Sequence, residues 1–383
     1  MRKVFIVGVG MTRIGRRFDK SIADLVAEAS FNAIDDARGE KPQAVVVGNM
    51  MASSLYQQDN LAALVTESIG ARGLGGFHVE AACGSGGHAV VAGYSLVASG
   101  LYDIVLVVGV EKMCDYPTAK VNAALAQAAD AEHEVVYGVS FAALNALVMR
   151  LYMSTYGASR EALALWPVRM HEYASQNPYA QLRFRITVED VLRSPIIADP
   201  IRLLDASPIG DGAAALILAS EDVAKKLSDT PIEICGVGLS NDALDLSSRR
   251  DLLDPLSIRL AAERAYRMAR IEPKDVDVAE IHDAFTITAM LSIEGLGFSE
   301  RGQAWRDVED GRFAAGDKPS INLSGGLKAR GHPVGATGVY QVAEIAMQLR
   351  GDFPGTKAGS PTIGLALNFG GVATSSSVIV LRR

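Results

Sequence analysis

A layered α/β body, built twice over and interrupted once, is what this sequence predicts. Three observations carry that reading. Short β-rich apolar runs alternate with helical stretches, the pattern of sheets covered by helices. Four blocks of the first half return in the same order in the second, the mark of an internal repeat. One of those blocks is, in both copies, a helix apolar nearly all round and launched from a glycine-rich turn. Helices of that kind are buried, so both are expected at the centre of an α/β/α/β/α stack.

The blocks justify themselves in turn. "VFIVGVGMT" (4–12) reads like "IEICGVGLS" (232–240), each an apolar run expected to close on a Gly-x-Gly turn. "CGSGGHAVVAGYSLVASG" (83–100) is matched by "HPVGATGVYQVAEIAMQLRG" (332–351), the pair of central helices. A strand follows each, "DIVLVVGV" (103–110) and "PTIGLALNFGG" (361–371), and a last strand closes each half, "DGAAALILAS" (211–220) and "TSSSVIVLRR" (374–383). The first half spans 217 residues from Val4 to Ser220 and the second 152 from Ile232 to Arg383, so an insertion is expected between Lys112 and Gly210. Its irregular, polar stretch "HEYASQNPYAQLRFRITVED" reads as a lid or binding loop. The expected boundaries are 1–112 with 205–225 for the first half, 113–204 for the inserted loop domain, and 226–383 for the second half.

Composition removes several classes of function. A net charge of −7 without a basic block argues against a nucleic-acid partner. The three cysteines, Cys83, Cys114 and Cys235, are odd in number and widely spaced, which suits a reducing compartment and offers no metal-ligand spacing. No signal-peptide pattern and no apolar run of membrane-spanning length is present, so a cytoplasmic location and no membrane partner are expected.

Cys83 sits in "HVEAACGSGGHAV" (78–90), between alanines and glycines. As G-x-G-x-x-A, "GSGGHA" (84–89) with Glu111 some way on imitates a dinucleotide fingerprint, but it lies deep in the half and not at its first strand. A buried structural thiol accounts for Cys235 in its strand and for Cys114 just after one. For Cys83 the small neighbours leave room for a carbonyl, and a helix N-terminus there is expected to lower the thiol pKa and to supply oxyanion donors. A nucleophilic thiol needs a base. His332 opens the twin turn of the second half, and His282 ends an apparent strand in "EIHDAF" (280–285). His78, His88, His133 and His171 have no such surroundings and read as structural.

"ACGSGGHA", "DGAAALIL", "HDAF", "GHPVGATG" and "NFGG" occur in that order along the whole chain, and together they resemble the thiolase superfamily, most nearly its sterol-carrier-protein-2-type and archaeal acetoacetyl-CoA branch. The resemblance implies a duplicated five-layered fold and acyl transfer between coenzyme A thioesters through a cysteine thioester, with no cofactor besides those substrates and no metal. It assigns Cys83 as the acylated nucleophile, His332 as its base, His282 as a group binding the thioester oxygen, and the Gly370 N–H, with that of Cys83, as a second oxyanion hole.

One departure stands out. Where thiolases of the common kind carry a second cysteine in Cys-x-Gly, this chain has Asn368, and Ala284 fills the place of the cysteine in the "HDCF" variant. An amide does not exchange protons near neutrality, so His282 or His332 is expected to remove the substrate α-proton while Asn368 orients the acyl oxygen.

The implied activity is condensation of two acetyl-CoA to acetoacetyl-CoA and CoA, feeding mevalonate and isoprenoid synthesis. The alternatives are a degradative 3-ketoacyl-CoA thiolase of longer chains and a ketoacyl-synthase-like condensing enzyme. The resemblance also implies a homodimer or tetramer formed through "FHVEAA" (77–82), and association with HMG-CoA synthase and a scaffold protein of zinc-ribbon and OB-fold. Arg183, Arg185, Arg249 and Arg250 are the basic residues considered for the CoA phosphates.

Overall fold

The computed structural model describes residues 2–383. The first half runs β1 (Val4–Met11), α1 (Ile22–Asp36), β2 (Ala44–Gly48), α2 (Leu61–Ser68), β3 (Gly75–Val79), α3 (Ser85–Ala98) and β4 (Ile104–Glu111). An excursion follows: α4 (Thr118–Ala126), α5 (Phe141–Tyr156), α6 (Arg160–Gln176), α7 (Val188–Arg193), and the hairpin of β5 (Ile196–Ala198) and β6 (Ile201–Arg202). The half closes on β7 (Gly212–Ser220) and α8 (Glu221–Leu227). The second half runs β8 (Ile232–Asn241), α9 (Leu256–Ala269), β9 (Val278–Glu280), α10 (Thr286–Gly295), α11 (Ala304–Glu309), β10 (Ser320–Ile321), α12 (Thr337–Arg350), β11 (Ile363–Gly370) and β12 (Ser375–Arg382).

The sheet order makes the duplication visible. It reads β3-β2-β4-β7-β1 and then β8-β12-β11-β9-β10, the second five strands mirroring the first. In each set the two outer pairings are parallel and the inner ones antiparallel. Among the described residues, only Phe5 with Glu233 and Ile6 with Ile232 join the sets, across β1 and β8. Both central helices lie between the two sets, packed on each other and on strands of both, while α1 covers the outside of β1 and β7 and α9 the outside of β8 and β12. These are the five expected layers. Twelve of the fourteen residues of α12 are buried, and each Val or Leu among them contributes about 1.5–3 kcal/mol by leaving water.

The repeated Gly-x-Gly is not a turn. Gly8 and Gly10 lie inside β1, and a Cβ at either would stand 2.1 or 2.0 Å from the Ala33 or Ala29 carbonyl oxygen of α1. Gly236 and Gly238 in β8 meet α9 the same way, at 2.4 and 1.9 Å from the carbonyl oxygens of Ala265 and Ala261. Each outer helix rides directly on its strand, and only a missing side chain permits it.

The insertion also differs from its expected character. Between β4 and β7 the chain forms four helices and a small hairpin, not an irregular loop. Ser140 and Ser159 accept the N–H groups of Ala143 and Ala162 as N-caps of α5 and α6. Leu144, Val148, Met149 and Tyr152 on α5 and Leu163, Trp166 and Met170 on α6 then bury an apolar face on each. Leu147 and Leu151 lie on the exposed side of α5, and apolar residues on both sides of a helix blur its period in a linear reading.

Candidate active site

Three helix and strand ends converge on one cavity of about 860 Å³. Cys83 enters from the turn between β3 and α3. The residue before it, Ala82, has φ +52°, a left-handed conformation that costs a non-glycine residue energy. Ser85 fastens this turn: its Oγ accepts from the Ala81 N–H at 2.9 Å and donates to the Ala82 carbonyl at 2.6 Å. Cys83 is half-buried and lines the cavity. Gly370, at the end of β11, abuts the same turn; a Cβ there would stand 2.1 Å from the Ala81 carbonyl oxygen.

His282 follows β9 and stacks on Phe369 with ring centroids 3.9 Å apart. Its Nδ1 accepts from the Phe369 N–H at 3.3 Å and from the Asn368 amide Nδ2 at 3.1 Å. A nitrogen receiving two donors carries no hydrogen, so the ring hydrogen sits on Nε2 and the imidazole offers the cavity a donor. His332 stands edge-on to it, ring centroids 5.1 Å apart, and also lines the cavity. Its Nδ1 is 2.6 Å from Thr337 Oγ1, which is in turn 3.1 Å from the Pro333 carbonyl. Both contacts are satisfied when the hydroxyl donates to that carbonyl and accepts from Nδ1–H. His332 is left with a bare Nε2. Two neighbouring imidazoles therefore hold opposite tautomers, one a donor and one an acceptor.

Asn368 sits behind the cavity wall and does not line the cavity. Its Oδ1 accepts from the Gly87 N–H at 3.0 Å and its Nδ2 reaches both the Cys83 carbonyl, at 3.2 Å, and His282. With every amide hydrogen engaged, it orients His282 and the cysteine turn, and the expectation that it orients an acyl oxygen finds no free group to do so.

The electrostatics also depart from expectation. Burial pushes the Cys83 thiol up to about 12, with Glu111 adding to it. The helix N-terminus does not offset this, because its leading N–H groups are taken: Gly84 donates to Ala81, Ser85 to Ala82, and Gly87 to Asn368. Burial, and after it the Arg330 cation, holds His332 down to about 3. His282 is also held well below its ordinary value, by burial first and then by His332 and Arg330. Arg330 is itself fully buried, 2.6 Å from Glu344. The resting site thus holds a neutral thiol and two neutral imidazoles in the lining of one cavity.

Glu111 has a part that sequence reasoning missed. It is fully buried and accepts from Asn49 Nδ2 at 2.9 Å, the Met50 N–H at 3.0 Å and the Gly335 N–H at 3.1 Å, tying the His332 turn to the first half. Burial raises it to about 7 despite those donors. No ribose reaches an acid so enclosed. Cys114, read as structural, lines the cavity with Cys83, whereas Cys235 remains in β8 with its thiol 3.5 Å from the Val380 carbonyl. The other histidines are held as structural groups: His78 by the Asn49 carbonyl, His88 by that of Gly84, His171 by that of Phe184, and His133 by Asp130. Of the four arginines considered for phosphate, none lines the cavity. Arg249 is fixed to the carbonyls of Ala243 and Val372, and Arg185 pairs with Glu172 at 3.5 Å.

Two family models match: the thiolase N-terminal domain over residues 4–222 and the thiolase C-terminal domain-like model over 238–383. The chain belongs to the thiolase family. It is therefore an enzyme, an acyltransferase. Among its curated relatives this thiolase is 42% identical, over all of both chains, to an acetyl-CoA acetyltransferase of Methanothermobacter thermautotrophicus. It is 43% identical to one of Methanocaldococcus jannaschii, over 92% of this chain and 91% of that protein. Among solved structures the Ltp2-ChsH2(DUF35) aldolase superposes with a TM-score of 0.86 at 25% identity, covering 99% of this thiolase and 97% of that chain.

Proposed function

We propose that this thiolase is an acetyl-CoA C-acetyltransferase that joins two acetyl-CoA into acetoacetyl-CoA and CoA. The observation that carries the reading is the pair of opposite tautomers beside Cys83, one imidazole able to take a proton and the other able to hold an oxyanion. His332 Nε2 takes the Cys83 proton as sulfur attacks the acetyl carbonyl. The developing oxyanion is held by His282 Nε2–H, with the N–H groups of Cys83 and Gly370 as the second set of donors. Collapse releases CoA, which leaves with the proton from His332. A second acetyl-CoA then gives an α-proton to the free His332 Nε2, its enolate attacks the acetyl-cysteine carbonyl, and Cys83 departs and recovers that proton. His282 is not the α-base, since its only free nitrogen already carries hydrogen. The route uses no group beyond the thioesters, and run backwards it cleaves a 3-ketoacyl-CoA.

Residues 113–204 wall the cavity from the side of α4 and α5 and act as its lid in this proposal. The exposed edge strand β3, with Phe77 44% exposed, supports pairing with a second copy through that edge. The solved aldolase whose title includes DUF35 supports association with a partner protein, in this proposal the zinc-ribbon and OB-fold scaffold. A cytoplasmic setting and supply of acetoacetyl-CoA to HMG-CoA synthase for isoprenoid synthesis complete the reading. The test is mass spectrometry of the protein mixed with acetyl-CoA. One acetyl group on Cys83, free CoA and then acetoacetyl-CoA are expected, with neither adduct nor product from Cys83→Ala. Condensation by Cys83→Ala at the wild-type rate would remove the mechanism.

A further inference from the structure

The turn between β11 and β12 is held more firmly than a short hairpin requires. It follows Gly370 directly, and its first residue, Gly371, lines the cavity as Phe369 does. Gly370 itself presses on the cysteine turn, since a Cβ at Gly84 would stand 2.9 Å from the Gly370 nitrogen. Within the turn Gly371 has φ +65° and Ala373 φ +53°, the latter a left-handed conformation that a residue with a side chain adopts at a cost. The Thr374 N–H closes the turn on the Gly370 carbonyl at 2.9 Å. Any shift of the turn therefore carries the Gly370 peptide with it.

Arg249 restrains that turn from outside the cavity. Its side chain is 7% exposed, and each guanidinium nitrogen has an acceptor. Nη1 donates to the Val372 carbonyl at 2.6 Å, Nη2 to Thr374 Oγ1 at 2.9 Å and Nε to the Ala243 carbonyl at 3.2 Å. Asp242, 3.8 Å away, balances the charge. A planar fork that grips one turn at two points fixes its orientation as well as its position, which the single ammonium of a lysine does not. Between those points Ser257, fully buried, donates to the Ala373 carbonyl at 2.6 Å. The base of the clamp is fixed in its turn. Asp245 accepts from the Ser248 N–H at 2.8 Å, and Glu134 of the insertion accepts from the Leu246 N–H at 3.0 Å.

We propose that Arg249 is a positioning residue for acyl transfer: by gripping the β11–β12 turn it keeps the Gly370 N–H aimed at the place where an oxyanion forms beside Cys83. The proposal rests on the thioester reading above, in which that N–H is one of the donors. It gives a fixed part to an arginine that does not line the cavity. An oxyanion hole works through donors set in place before the charge develops, so a donor slightly out of place loses much of its effect.

The experiment compares two small reagents that reach Cys83 of the full-length protein. With p-nitrophenyl acetate, sulfur bonds the acetyl carbon through an oxyanion, the ester C–O bond breaks, nitrophenolate leaves and His332 takes the thiol proton. Iodoacetamide alkylates the same sulfur and develops no oxyanion. Arg249→Met is expected to slow acetylation about tenfold and to leave alkylation unchanged. Arg249→Lys, which keeps the charge without the fork, is expected to be nearly as slow. Thr374→Val removes one contact of the three and is expected to slow acetylation about threefold, which keeps the test decisive if the Arg249 variants fail to fold. Arg250→Met, at an exposed neighbour, is expected to alter neither reaction, with circular dichroism reporting the fold of every variant. Equal slowing of both reactions would mark a general loosening of the site and overturn the proposal. So would unchanged acetylation in Arg249→Met and Thr374→Val, or full recovery in Arg249→Lys. If acetyl-CoA never acetylates Cys83 while p-nitrophenyl acetate does so in an Arg249-dependent way, the acetyl-CoA reading falls and the clamp stands. If acetyl-CoA acetylates Cys83 and Arg249→Met keeps pace with the wild type, the reverse holds.

Discussion

The turn that opens α3 and the turn that opens α12 are two versions of one device. Both are glycine-rich, both feed a buried helix, and the two helix starts meet backbone to backbone; a Cβ at Gly338 would lie 2.1 Å from the Gly87 nitrogen. In both, the leading N–H groups are already engaged, those of Ala336 and Thr337 by the Pro333 carbonyl and those of Gly84 and Ser85 by Ala81 and Ala82. The first turn carries sulfur at its critical position and the second carries imidazole. Burial then drives the two apart, the thiol up to about 12 and the imidazole down to about 3. Duplication supplied the frame and the closeness, single residues supplied the chemistry, and the shared burial keeps both groups uncharged until a substrate arrives.

That contrast is broken most sharply by comparing the two histidines. His332→Asn removes the acceptor, so transfer of the acetyl group to Cys83 should slow by about 10³-fold. Alkylation of Cys83 by iodoacetamide should slow with it, because that reaction also needs the thiol proton removed. His282→Asn removes an oxyanion donor and should slow acetyl transfer by about 10²-fold, yet alkylation, which develops no oxyanion, should continue. Equal loss of alkylation in both variants would show that the tautomers are not divided as the hydrogen bonds indicate.

A smaller effect is expected one shell back. Asn368→Asp replaces an amide donor by a carboxylate that accepts, and the hydrogen on His282 then moves to Nδ1 to meet it. Nε2 turns from donor to acceptor, and acetyl transfer should fall by about 10-fold. Asn368→Ala, which leaves the Phe369 N–H in place to hold the tautomer, should lose less. Stopped-flow release of CoA measures both, and an aspartate variant faster than the alanine one would sink the argument.

Much of this was legible in the sequence. The paired blocks foretold the mirrored strand order, and the setting of Cys83 and His332 in twin turns foretold that they share a cavity. What escaped reading has physical reasons. Gly8 and Gly10 read as a turn because a close helix-on-strand approach and a bend both demand glycine, and only the partner, α1, tells them apart. Asn368 was legible as a missing acid but not as a clamp, since its three partners lie 86 to 285 residues away in sequence. In the insertion, exposed Leu147 and Leu151 blur the period of α5.

The smallest expected effect is an absence of change. The working form of His332 is neutral, so activity falls when acid protonates it. Its ordinary value of 6.5 would place that fall in the physiological range, but burial and the Arg330 charge both oppose a second positive charge and carry the value down to about 3. Lowering the pH should therefore leave the rate of Cys83 acetylation nearly flat from about pH 8 to about pH 5, with the acid limb only below that. The alkaline side follows from the thiol. With Cys83 raised to about 12, direct alkylation in the His332→Asn variant should keep climbing with pH past the ordinary thiol value of 9.0, because ever more thiolate forms without help. An acid limb near 6.5 in the wild type, or a plateau near 9 in the variant, would mean that the two turns do not impose the opposed shifts on which their pairing depends.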